Sequence, residues 1–184
     1  MTRARPTLTA GALAAVLLAV APASSAAPPN RIETFTGSCE SQAVVNMDPP
    51  MSGEVRETQV DIASRWATCT GTVDVGGHVY NVVDAPTVGE LHGSGPSSCE
   101  VSATQGWGRF TIANRWQIDF TYDEPRLGPV GLLPYTGIAG GSAIDVARLS
   151  SEEDSADIVQ RCSGAGVPSV VVDVSIQTTP AISG

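Results

Sequence analysis

The sequence has no lysine: all ten of its basic side chains are arginine, set against nineteen acids, for a formal charge of −9. Missing lysine reads as a mark of GC-rich coding, but the acidic balance has physical consequences. Nucleic-acid phosphates must be met by cations, so this chain is not expected to bind them. The same holds for an anionic membrane surface. Histidine is scarce as well, with only His78 and His92, and a serine hydrolase needs one beside a nucleophile and an acid. The candidate nucleophiles, Ser94 in Gly93-Ser94-Gly95 and Ser142 in Gly141-Ser142-Ala143, lack the Gly-x-Ser-x-Gly elbow. A turn role explains both. There is no Cys-x-x-Cys pair, and the four cysteines are spaced too widely for a zinc site. The acidic run Glu152-Glu153-Asp154-Ser155-Ala156-Asp157 lacks the alternating acids and central glycine of a calcium loop. No catalytic residue, metal ligand or cofactor site is expected.

Long apolar runs are also absent, with one exception. Leu8 to Ala21 is uncharged and follows Arg3 and Arg5, and Ser24-Ser25-Ala26 comes after it. The run is short of the roughly 20 residues that cross a bilayer, and its flanks are those of a secretory signal cut after Ala26. Residues 1–26 are therefore expected to be a signal peptide and residues 27–184 a single secreted domain. The cut removes two arginines and no acid, taking the formal charge from −9 to −11. Four cysteines in an exported chain imply two disulfides. Of the three pairings, Cys39–Cys69 and Cys99–Cys162 are expected, because each then closes within one half of the chain.

What is present is alternation. In Cys99 to Tyr122, the residues Phe110, Ile112, Trp116, Ile118, Phe120 and Tyr122 share even parity, with Arg109, Thr111, Gln117, Asp119 and Thr121 between them. A period of two describes half-buried strands. Ile112 and Trp116 can share a face only across an odd-numbered turn, so Ala113-Asn114-Arg115 is expected to form it, with Asn114 or Arg115 left-handed. Gly76-Gly77 predicts a two-residue hairpin pairing Val75 with His78, Val73 with Tyr80 and Gly71 with Val82. Val60, Ile62 and Trp66 share another inward parity, and Val170, Val172, Val174 and Ile176 form the cleanest strand, expected deep in a sheet. Loops are expected at Met47 to Met51 and at Asp123 to Pro134, a hairpin end at Pro86, and a turn at Gly93 to Pro96. A brief helix is expected near 151–161, capped by Ser151 and ending by Cys162.

The fold class is therefore all-β: one antiparallel sandwich or partly closed barrel of about eight to ten strands with one short helix. Two stretches echo one another. Ser38-Cys39-Glu40 matches Ser98-Cys99-Glu100, and Cys69-Thr70-Gly71 matches Cys162-Ser163-Gly164. Duplication and chance both account for this. Cys39, Cys69, Ser98-Cys99, Gly106-Trp107-Gly108 and Cys162-Ser163-Gly164 together resemble a group of small secreted four-cysteine all-β proteins of actinobacteria. That resemblance implies fold and location and carries over no functional residue.

Function is expected to be non-catalytic binding of an extracellular protein, an envelope component or a small ligand. Leu127, Val130, Leu132 and Leu133 form a possible contact loop, since apolar residues in a loop mark a contact surface. The alternatives are a secreted hydrolase and a secreted protease inhibitor. A large apolar pocket closed at one end favours a ligand-carrying barrel.

Overall fold

Alternation along the chain becomes eight antiparallel strands that close on themselves. The computed structural model describes residues 34–128 and 130–184; the expected signal peptide lies outside the described residues. The strands are β1 Thr34–Met51, β2 Arg56–Val75, β3 His78–Ser97, β4 Val101–Ile112, β5 Trp116–Leu127, β6 Val130–Gly137, β7 Gly140–Leu149 and β8 Val167–Ser183, with helix α1, Ser155–Cys162, between the last two. Each strand pairs with its sequence neighbours, and β8 returns to pair with β1, making a closed barrel in up-and-down order. The sandwich alternative is thereby overturned, and the closure is complete, not partial. Closure satisfies every strand on both sides and leaves no edge exposed.

Both staples form as expected, Cys39–Cys69 and Cys99–Cys162. The first joins directly opposed residues of the β1–β2 ladder. The second ties the end of α1 to the β3–β4 turn. The two echoed cysteine motifs thus occupy unlike structures, with Cys39 and Cys69 in strands, Cys99 in a turn and Cys162 in a helix.

The two hairpins have the predicted registers, Val75 opposite His78 and Ile112 opposite Trp116. In the second turn the left-handed residues are Ala113 and Asn114, so Arg115 is not one of them. The even-parity residues Ile112, Trp116, Ile118, Phe120 and Tyr122 are all buried.

The parity of β2 departs from expectation. Val60 is buried, but Trp66 is 51 % exposed. The ladder slips between Gln42/Ala43, where Gln42 faces Trp66 and Ala43 faces Ser64. Arg65 is the extra residue, and a bulge of one residue turns every later side chain to the opposite face. Ala67 and Cys69 point inward as a result.

The prolines account for the other departures from expectation. Met47 to Met51 lies within β1, Pro86 within β3, and Gly93 to Pro96 at the end of β3. Beside Pro86 the ladder shifts register between Cys69/Gly71, and Asp84 adopts φ +46° with its N–H donating to Thr70 Oγ1. The bulge accommodates the proline. Asp123 to Pro134 is likewise a hairpin, not a long loop: β5 runs to Leu127, β6 starts at Val130, and those two residues pair. Pro125 and Pro134 fall where the β5–β6 ladder lapses between Tyr122–Tyr135 and Arg126–Gly131, so no β5–β6 bond is asked of them. The helix begins later than predicted. Asp154, not Ser151, caps it, accepting from Ala156 N and Asp157 N.

The ends of the barrel differ. The far end, holding the β2–β3, β4–β5 and β6–β7 turns, is filled by Phe35, Phe110, Ile112, Ile118, Phe120 and Ile182. At the helix-bearing end the buried hydrophobic cluster among the described residues is Met47, Val60 and Val167, with Ile158 and Cys162 packed against it.

Candidate functional site: the barrel interior

The inward positions on the helix side of the barrel are small. Ser41 and Ala43 on β1, Ser64 and Ala67 on β2, and Gly89 on β3 all face inside and leave the middle unfilled. The result is a cavity of about 800 Å³, within the range of small-molecule sites. Its aliphatic wall includes Val45, Ile62, Leu91, Leu133, Val172 and Val174, and Phe110, Tyr135 and Cys39 bound it toward the packed end. No residue of the β2–β3, β4–β5 or β6–β7 turn lines it. At the opposite end Gly53, Glu100, Leu127 and Val159 do, and these are exposed, so the cavity reaches the surface there. Ser155, Ile158, Val159 and Cys162, one face of α1, stand at that mouth.

Polar groups are concentrated on β4 to β7. The hydroxyl of Tyr135 donates to Asp145 Oδ2, and the other carboxyl oxygen, Oδ1, is buried with no hydrogen-bond partner among the described residues. Burial pushes the Asp145 carboxyl up to about 7, against the pull of the Tyr135 hydrogen bond. Burial and the adjacent Asp145 hold the Tyr135 phenol well above its usual range. Glu124 accepts from Thr104 Oγ1 at 2.8 Å; burial raises its carboxyl, while Thr104 and the Arg126 charge counteract. Gly131 on β6, opposite Arg126, leaves room beside that carboxyl: a Cβ there would lie 3.0 Å from Glu124 Oε1. Tyr122, buried with its hydroxyl against Gly93, is pushed up to about 12 by desolvation.

The four residues of the expected contact loop do not form one surface. Leu133 is buried inside the barrel and lines the cavity, and Leu127 lines its mouth while 82 % exposed. Val130 and Leu132 point outward. Strand alternation divides what a loop would have gathered.

The other candidates lie outside the barrel. His78 is exposed at the β2–β3 turn, and His92 Nδ1 pairs with Asp61 Oδ1 at 2.6 Å. The His92 ring packs on Trp107 at 4.7 Å. Ser142 Oγ donates to Thr179 O, and no hydrogen bond joins Ser94 to His92. Among the described residues no three His, Cys, Asp or Glu side chains gather as metal ligands would.

Sequence reasoning missed Glu124, Tyr135 and Asp145. Glu124 falls in the stretch expected to be a loop, Asp123 to Pro134. A signal was present in Asp145, a lone acid at the inward parity of Ala143 and Ala147.

Eight strands close a barrel just wide enough for its interior to be filled or to hold one small ligand, and this one is filled at one end only. The fold and site define a closed up-and-down barrel with an internal apolar chamber. No protein-family model, curated protein or solved structure matches this chain.

Proposed function

We propose that this chain is a secreted, non-catalytic binding protein whose ligand is a small, largely apolar molecule held inside the barrel. The observation that carries the reading is the 800 Å³ chamber, aliphatic along its wall and open at the helix end. Burying apolar surface there yields on the order of 25 cal/mol for each Å² removed from water. Secretion rests on the expected signal at 1–26, and the two disulfides are compatible with an oxidising compartment. The barrel's outward positions carry Glu40, Asp61, Glu90, Asp123, Arg148 and Asp173. They interrupt the exposed apolar residues Trp66, Val83, Val88, Trp107 and Leu132, so the outer face is mixed, whereas a membrane barrel turns a continuous apolar band outward.

The test is displacement of a neutral, environment-sensitive fluorophore such as N-phenyl-1-naphthylamine, with native mass spectrometry for stoichiometry. One molecule per chain is expected. Ala43→Phe, which fills the chamber from β1, should weaken binding at least tenfold while the thermal midpoint stays within a few degrees. Undiminished binding by that variant would place the ligand elsewhere.

A further inference from the structure

The chamber's charge is one-sided. Among the described residues Arg126 is the only basic side chain lining it, and its hydrogen-bonding capacity is used up. A guanidinium has five N–H donors. Here Nε reaches Ser102 Oγ at 3.3 Å, Nη1 reaches Cys99 O at 3.2 Å and Gly128 O at 2.9 Å, and Nη2 reaches Ser98 O at 2.5 Å and Met51 Sδ at 3.5 Å. Arg126 therefore ties the mouth turns together, with its charge acting on Glu124. A fatty-acid carboxylate entering this chamber would find no free basic group and, beside Arg126, the acids Glu124 and Asp145. Asp145 presents the opposite vacancy, an oxygen that accepts from nothing. An unmatched buried acceptor is costly, and an N–H group supplies the missing partner.

We infer that the molecule carried is an amphiphilic amine, its nitrogen seated against Asp145 and Glu124 and its hydrocarbon body along the aliphatic wall. This rests on the carrier reading and names its ligand class. An ammonium offsets the cost of ionising the buried Asp145 and the half-buried Glu124, which an alcohol cannot do. The groups facing Asp145 are Tyr135 from β6 and Glu124 from β5; from β8 its partner is Ile176, which carries no charge. Amine binding therefore strengthens as pH rises and Asp145 gives up its proton, while alcohol binding stays level.

The experiment displaces the same neutral fluorophore from the disulfide-bonded protein with dodecylamine, dodecanol and dodecanoic acid, each below its micellar range, at pH 6 and pH 8. At pH 8 the amine should bind at least tenfold more tightly than the acid or the alcohol, with a smaller margin at pH 6. Asp145→Asn and Glu124→Gln should each erase most of that preference while alcohol affinity, the gauge of an intact chamber, persists. Dodecanoic acid binding as well as the amine would overturn the inference, as would an amine preference surviving both substitutions, and either leaves the carrier reading standing. If none of the three displaces the probe, both fall together.

Discussion

The hydroxyl of Tyr135 on β6 donates to Oδ2 of Asp145 on β7, and both side chains are almost wholly buried inside the barrel. They are diagonal neighbours, since Leu133 stands directly opposite Asp145 and Tyr135 opposite Ala143. The pair satisfies the phenol completely and the carboxyl by half.

That half-satisfied carboxyl makes stability depend on pH. Asp145 titrates at about 7 in the fold, raised by burial, and near 4 in the unfolded chain. Between these values the native state holds the extra proton, so stability falls as pH rises. The contribution is complete below about pH 4 and lost above about 7, on the order of 4 kcal/mol across the window. Glu124, also raised by burial, acts in the same direction. Urea unfolding of wild type and Asp145→Asn should show the variant gaining on wild type from pH 5 to pH 8. A gap that does not change with pH would contradict this.

Tyr135→Phe should cost about 1–3 kcal/mol, because it removes the one donor to a buried carboxyl. It should also move the Asp145 titration higher still, since that hydrogen bond is what pulls it down. Carboxyl-carbon NMR across the titration reads the second effect separately from the first.

Close backbone approach fixes the β3–β4 crossing. A Cβ at Gly106 would lie 2.0 Å from His92 O and 2.6 Å from Gly93 Cα, both backbone atoms that cannot rotate away. Gly106→Ala should lower stability by more than about 2 kcal/mol through overpacking. Gly53→Ala, where nothing lies within 4 Å, is the control and should be near neutral. Chemical denaturation of the two variants side by side checks the contrast.

The two disulfides should differ in what they protect. No residue of α1 is buried, and its end is held by the Cys99–Cys162 bond and by Gly53 N donating to Cys162 O at 3.1 Å. Replacing both Cys99 and Cys162 by serine should cost about 2–5 kcal/mol. Amide exchange in α1 should then rise far more than in the strands. Uniform loss of protection across the barrel would show that the helix braces the whole fold.

Much of this architecture was legible as local pattern. Ile112 and Trp116 fixed an odd-numbered turn by parity alone, and Gly76-Gly77 fixed its hairpin's register. Prolines misled, because Pro86, Pro125 and Pro134 each suggest an interruption. Each instead sits beside a bulge or a lapse in pairing, a compensation made by the neighbouring strand. Trp66 misled for a related reason: the slip at Arg65 belongs to the β1–β2 ladder and is invisible in β2 alone.

By itself the sequence determined the pleated, two-staple, all-β character of the chain, since side-chain period and turn chemistry act over a few residues. Only the tertiary structure decided that the sheet closes, because closure requires β8 to meet β1 across the length of the chain. It also decided that Ser41, Ala43, Ser64, Ala67 and Gly89 surround one space. Small residues on separate strands leave a chamber only when curvature brings their inner faces together and aromatic packing has already filled the other end.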